Sequence, residues 1–402
     1  MKETRIAVWG AHLSWDGGID FLYYLVNALT AVKEDYNLNF FLILPYDSVS
    51  ELKFFVINAI NSIKRGALPG YKKQGINDKI RKAFKNSDIE IVYYNYLEND
   101  LEKQLKKINA DVLFPVIKKF SAKISTPWIG YIPDLQHISF PNFFSAEEKI
   151  HRDKRYATLL NCSKVVIVNS VSVKDELKNH YAAKDNVFSL SFCPPEPQNN
   201  VRDYSLADLV IKYKLPKRYF VICNQFWKHK NHGVAFQALK LLLESKIYNG
   251  VELFCTGKMQ DERFPEYIDE LTNYIIENGL EEKIHLLGFI SKEDQMALID
   301  NAIALIQPTL FEGGPGGGSV YNAITLGAPC IISDIEVNRE ISGENITFFE
   351  ATSPDDLAQK MRTLLGTPQE KSGLDDLIKE GYKRRRHLGE ELVKIINLAR
   401  GE

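Results

Sequence analysis

The sequence predicts an α/β protein of two facing doubly wound domains, and three observations lead there. Apolar runs of strand length alternate with helix-length stretches along the 402 residues, as βα units on a parallel sheet require. The alternation breaks at 193–200, CPPEPQNN, where three prolines in five residues oppose both helix and strand. It then restarts with the same period. A first domain over 1–195, a second over 201–380 and a C-terminal helix over 381–402 that packs back towards the first domain follow from this division.

In the first half, 5–10 reads as a strand, followed by a glycine turn at Gly17 and Gly18 and a helix over about 18–32. Further strands are expected at 39–44, 89–94, 111–115, 128–132 and 164–169. Past the proline segment, 219–223 reads as a strand, 231–244 as a helix and 251–256 as a strand. Strands at 283–287, 302–307 and 329–333 complete the second set, with a helix from about Ser319 to Leu326. In such sheets ligands collect beyond the carboxyl ends of the strands. The cleft between the two halves is therefore the expected site.

Composition narrows the classes. A hydrophobic share of 45%, a charged share of 25% and a net charge of −2 describe an ordinary globular chain with no general attraction to nucleic acid. No apolar run approaches the roughly 18 residues of a membrane span, and the N-terminal residues lack a signal-peptide core. The five cysteines are widely spaced, without a C-x-x-C pair. They indicate neither a zinc site nor a disulfide framework and suit a reducing cytoplasm.

The chemistry concentrates at 305–334, LIQPTLFEGGPGGGSVYNAITLGAPCIISD. Glu312 is followed by five glycines within six residues, where a strand hands over to a helix. A helix N-terminus carries free N–H groups and partial positive charge, and glycine lets an anion approach them. Gly313, Gly314, Gly316, Gly317, Gly318 and Ser319 are therefore candidates for a phosphate cradle. The spacing fits neither a Walker loop nor a dinucleotide fingerprint. Lys228 and Lys230, in NQFWKHKNH at 224–232, follow a strand of the same half and could neutralise a diphosphate. No D-x-D pair is present to hold a metal. Lysines and helix N-termini are expected to stabilise a leaving group in its place, with no cofactor and no metal.

The succession of a GG loop, IPDLQH, VNS, NQFWKHKNH, TGK, LLGFI, FEGGP and LGAPCIISDIEVNRE resembles the retaining glycosyltransferases of family 4, also called glycosyl transferases group 1, over nearly the whole chain. The resemblance implies a GT-B fold and metal-independent transfer of a hexose-type sugar from a UDP- or GDP-sugar to a saccharide or lipid-linked saccharide acceptor. Surface polysaccharide or glycan synthesis is the process it implies. It further implies that Glu312 touches the donor sugar, that Lys230 and the glycine segment bind the diphosphate, that Gly288 and Phe289 lie by the nucleobase, and that Gly17 and Gly18 lie near the phosphates.

Three positions depart from the family pattern. Val320 stands at the usual distance of the second glutamate that holds the ribose, and Asn322 takes that place after two extra residues; Gln225 after Asn224 replaces an arginine, and Pro133-Asp134 replaces a His-Asp pair. Lys228 could supply the missing cation, and His137 is the nearest imidazole for a sugar contact. A catalytically weak or inactive sugar-nucleotide-binding subunit, or a GT-B epimerase, is the alternative reading.

The stretch 63–86 carries eight cations, Lys64, Arg65, Lys72, Lys73, Lys79, Arg81, Lys82 and Lys85, against the single acid Asp78. It is the expected place for peripheral contact of a cytoplasmic protein with the inner face of a membrane. Each such cation contributes about 1 kcal/mol near an anionic surface, with decay over roughly 8 Å at physiological salt. Co-sedimentation with anionic liposomes should therefore fall steeply as salt rises. It should fall further when Lys72, Lys73, Arg81 and Lys82 are changed to Glu. Equal binding of both proteins would leave the stretch a solvated face.

Overall fold

The computed structural model describes residues 2–13, 16–46, 77–85, 87, 89–95, 97–121, 123–198, 201–343, 345–367 and 371–402. Most of the basic stretch, 63–76 and residue 86, lies outside the described residues.

Two parallel sheets carry the fold. The first contains β1 (Thr4–Trp9), β2 (Leu38–Pro45), β3 (Glu90–Tyr94), β4 (Val112–Val116), β5 (Trp128–Tyr131), β6 (Val165–Val168) and β7 (Val187–Ser189), in the order β3-β2-β1-β4-β5-β6-β7. The second contains β8 (Arg218–Cys223), β9 (Val251–Thr256), β10 (Ile284–Gly288), β11 (Leu305–Gln307), β12 (Cys330–Ser333) and β13 (Ile346–Phe349), in the order β10-β9-β8-β11-β12-β13. Every pairing is parallel. The same doubly wound order thus occurs twice, each strand order reversing beside its first strand.

The composition of the strands explains why they sit centrally. All residues of β4, β6 and β12 are buried, as expected where helices cover both faces of a parallel sheet. β7 and β13, which the sequence reading did not anticipate, are edge strands with mostly half-buried residues. Serines at helix starts fix the connections. Ser145 and Glu148 form a reciprocal capping box, and Ser170, Ser205, Ser291 and Ser353 each accept an N–H of the following turn.

The long C-terminal helix, Leu374–Arg400, starts before residue 381 and joins the first domain's core. Its Leu388, Leu392, Val393, Ile395, Ile396 and Ala399 pack with Ile6, Val8, Leu22, Leu25 and Leu42. Arg386 bridges to Asp35 at 2.7 Å, and Glu391 accepts from Ser191 N at 3.2 Å and Ser191 Oγ at 2.8 Å. Among the described residues, no helix is long and apolar enough to cross a membrane.

Gly389 allows the close approach of this helix to helix Asp16–Thr30. A Cβ there would lie 2.3 Å from the Ala28 carbonyl oxygen and 3.0 Å from Val32 Cγ2. On helix propensity alone, Gly389→Ala would stabilise by about 1 kcal/mol. Backbone overlap reverses the sign, and overpacking of this kind costs about 1–3 kcal/mol. Calorimetry should show a lower melting temperature for G389A, and a higher one would contradict the packing described.

Candidate active site

The second sheet's order reverses between β8 and β11, and polar side chains meet at their carboxyl ends. Gln307 ends β11 and is fully buried. Its Oε1 accepts from Asn224 Nδ2, just beyond β8, at 2.6 Å and from Ser319 Oγ at 3.1 Å. Its Nε2 donates to Glu312 Oε1 and to the Gly316 carbonyl, both at 2.9 Å. Two acceptor lone pairs and two donor hydrogens are thus all used, which fixes the amide's orientation.

Glu312 receives a second donor on the same oxygen. Lys230 Nζ lies 2.5 Å from Glu312 Oε1, with the two side chains only 10% and 12% exposed. Lys230 ends a short 3₁₀ turn, Lys228–Lys230, after β8. That turn is tied to the loop carrying Glu312, because Leu310 N and Thr309 Oγ1 donate to the His229 carbonyl at 2.7 and 3.3 Å. Asn231, in left-handed conformation, then turns the chain into helix His232–Leu243.

The glycines behind Glu312 serve two purposes. Gly316 and Gly317 have φ near +68° and +66°, which L side chains adopt with strain. A Cβ at Gly316 would strike Val320 at 2.6 Å, and one at Gly317 would lie 3.2 Å from the Glu312 carboxylate. Helix Gly317–Leu326 therefore begins against that carboxylate. Gly313 and Gly314 admit the first domain. A Cβ at Gly313 would stand 2.3 Å from the Pro133 carbonyl oxygen, and one at Gly314 3.0 Å from Asn169 Cβ. Around Gly318 the space is open.

The cleft is closed at several points. Phe140 meets Phe311, Phe143 meets Phe264, and Phe144 lies between Arg152 at 4.7 Å and Arg263 at 4.2 Å. Glu340 of the second domain accepts from Val171 N at 2.9 Å and Ser172 N at 2.8 Å. It thereby occupies the N-terminus of first-domain helix Val171–Tyr181. Gly17 and Gly18 lie in the first turn of helix Asp16–Thr30. That helix faces helix Gly317–Leu326, since Tyr24 stacks on Tyr321 at 5.7 Å.

The remaining predicted residues are distributed around this centre. Asn322 Oδ1 accepts from Lys292 Nζ at 2.8 Å. Gln225 Oε1 accepts from Lys258 N at 3.0 Å. The Gly288 carbonyl accepts from Thr256 Oγ1 and Gly257 N, both at 2.9 Å, and Phe289 beside it is 77% exposed. Lys228 points away from Glu312, pairing with Glu270 at 3.7 Å over the Phe264 ring. His137 is enclosed in the first domain, with Nε2 at 3.1 Å from Asp153 Oδ1 and 3.0 Å from Tyr181 OH. Its ring contacts, Phe144 and Tyr156, are first-domain residues as well. Burial, its largest influence, lowers its pKa. The structure thus gathers Glu312, Lys230, Asn224, Ser319 and the glycines, and places Lys228 and His137 elsewhere. Gln307, Asn338 and Glu340 were not anticipated. Asn338 Oδ1 accepts from Gly316 N at 2.9 Å, and its Nδ2 donates to the Ser333 carbonyl at 2.9 Å.

Residues 208–384 match the family described as glycosyl transferases group 1. That match falls on the second domain. Whole-chain likeness is seen among solved structures. A glycosyltransferase from Rickettsia africae superposes with a TM-score of 0.61 at 14% identity over 99% of each chain. HepE of Anabaena, in complex with UDP-glucose, gives 0.61 at 13% identity over 97% of this chain and 98% of its own. Sucrose-phosphate synthase from Thermosynechococcus elongatus gives 0.57 at 14% identity over 98% and 96%. No curated protein matches by sequence. The likeness gives the fold, which is GT-B, with the second domain's glycine helix facing the first domain across the cleft.

Two histidines beside Lys230 link the site to acid stability. Burial, then Lys230, lowers the pKa of His229 to about 2 and that of His232 to about 3. His232 stacks on Phe226 at 4.4 Å, and neither ring nitrogen has a protein partner. Above about pH 6.5 both rings are neutral folded or unfolded, so they contribute no pH dependence. Below it the unfolded chain gains protons first, and stability falls until the folded pKa values are reached. At pH 5 the loss is about 2 kcal/mol for each ring. Denaturation at pH 7.5, 6 and 5 should show this decline, and His232→Phe should remove about one proton from its slope.

Proposed function

We propose that the protein transfers a hexose-type sugar from a UDP- or GDP-sugar to a saccharide or lipid-linked saccharide acceptor, with retention of anomeric configuration. The observation that carries this reading is the buried Lys230–Glu312 pair, held by Gln307 at the strand-order reversal of a domain that matches the glycosyl transferases group 1 family and abutting a glycine-opened helix. The structure of HepE with UDP-glucose, in the same fold, makes UDP-glucose the first donor to test. Synthesis of surface polysaccharide or another glycan, by a cytoplasmic enzyme that touches the membrane peripherally, is the role that suits such chemistry.

The residues divide the work by charge. Lys230 and the N–H groups of the glycine helix receive the diphosphate, whose negative charge grows as its bond to the anomeric carbon breaks. A lysine and a helix end thereby do the work of a metal, and none is required. Glu312 positions the sugar hydroxyls and stabilises positive charge at the anomeric carbon. The acceptor hydroxyl attacks from the face that the diphosphate leaves. The acceptor oxygen–carbon bond forms, the carbon–diphosphate bond breaks, and the acceptor proton passes to a diphosphate oxygen. Phe289 and Gly288 flank the base, and Asn322 with Lys292 meets the ribose.

Sugar transfer and donor hydrolysis measured with UDP- and GDP-sugars test the reading. Glu312→Ala should lower transfer by about 100-fold or more, near 3 kcal/mol of transition-state stabilisation. Unchanged turnover would remove Glu312 from the chemistry. Asn322 in place of a carboxylate favours a second reading, a sugar-nucleotide-binding subunit without catalysis. Slow nucleotide release from a bound donor would count against that subunit, and tight binding without release would count for it.

A further inference from the structure

The two groups assigned above to the diphosphate already face an anion in this structure. Lys230 Nζ donates to Glu312 Oε1 at 2.5 Å, and among the described residues this is the ion pair Lys230 makes. Gln307 Nε2 donates to the same oxygen at 2.9 Å. The first residue of helix Gly317–Leu326 lies so close to the carboxylate that a Cβ on Gly317 would stand 3.2–3.3 Å from its atoms. Ammonium and helix start therefore converge on one carboxylate, with the pair about nine-tenths buried.

From this convergence we propose that Glu312 is a built-in counter-ion, which the diphosphate of the donor displaces from Lys230. The proposal rests on the assignment of Lys230 to the diphosphate made under the proposed function. An ammonium has three donor hydrogens, yet two anions crowded on it repel each other, and in a buried site that repulsion is weakly screened. A diphosphate that takes Lys230 thus expels the carboxylate. The expelled carboxylate has lost its counter-charge and needs new donors, because an unpaired buried charge is costly. Sugar hydroxyls are such donors, and Gln307 still holds one oxygen in place.

A sugar nucleotide supplies both halves of the exchange: the diphosphate for Lys230 and hydroxyls for Glu312. A nucleoside diphosphate alone supplies one half. The exchange therefore favours the loaded donor over the spent nucleotide, a discrimination that simple charge attraction does not give. After transfer the remaining diphosphate faces a returning carboxylate, which assists its release.

Isothermal titration with pyrophosphate, UDP, GDP, uridine and UDP-glucose on wild type, E312Q and K230M tests this. Pyrophosphate and the cognate nucleoside diphosphate should bind E312Q about tenfold or more tightly than wild type. Uridine should be unaffected, and the preference for a sugar nucleotide over its nucleoside diphosphate should shrink. E312A should behave as E312Q does, which covers a glutamine that still occupies Lys230. Pyrophosphate and nucleoside diphosphate binding no tighter in either variant would overturn the counter-ion. If K230M binds pyrophosphate as wild type does, or if no protein binds any nucleotide, the assignment of Lys230 fails as well. Loss of pyrophosphate binding in K230M, with no gain in E312Q and E312A, would refute the counter-ion alone.

Discussion

A charge pair withdrawn from water survives only if its remaining hydrogen-bonding capacity is met, and this requirement shapes the second domain around Lys230 and Glu312. Gln307 meets part of it, and is itself held by Asn224, Ser319 and the Gly316 carbonyl. Asn338 extends the arrangement by anchoring Gly316 N and the end of β12. The termini of β8, β11 and β12 and the start of the glycine helix are therefore locked by amide and hydroxyl groups, with the Gln307 amide using both its lone pairs and both its hydrogens. Removing one would leave buried polar atoms unpaired, which costs more than the lost bond itself.

The same segment that carries the pair forms the contact with the first domain. Gly313 and Gly314 touch Pro133, Asp134 and Asn169 through positions where a side chain would not fit. Aromatic contacts at Phe140, Phe143 and Phe144 surround that approach on one side, and Glu340 reaches across to a helix end. The glycine content of the segment thus answers to two neighbours: the carboxylate on its own domain and the backbone of the other.

Much of this was legible in the sequence. Apolar strand runs such as 165–168 and 251–256 were readable as strands of the two parallel sheets, because continuous burial on two faces leaves a strong pattern. β7 and β13 escaped because they are half-buried edge strands of three and four residues, too short for the pattern that the five-residue edge strands β3 and β10 still show. Glu312, Lys230 and the glycines were visible through charge and composition. Gln307 was readable in principle, as a polar residue closing the apolar run of β11, but its role depends on Asn224 and Ser319, which only the fold brings near. Lys228 and Lys230, two positions apart, look alike in sequence. A 3₁₀ turn sends one to Glu270 and the other to Glu312.

The chain crosses between the domains twice, once near Glu196 and again along helix Leu374–Arg400, and the two crossings touch. Gly381 lies so near Glu196 that a Cβ would stand 2.5 Å from its Cα, and Arg385 pairs with Glu196 at 3.0 Å. A body joined at one flexible point can swivel in every direction. Two tethers lying side by side act as a hinge pin and leave a single easy rotation. Points far from the pin sweep the widest arc, so one small rotation there parts contacts that several local rearrangements would otherwise have to break.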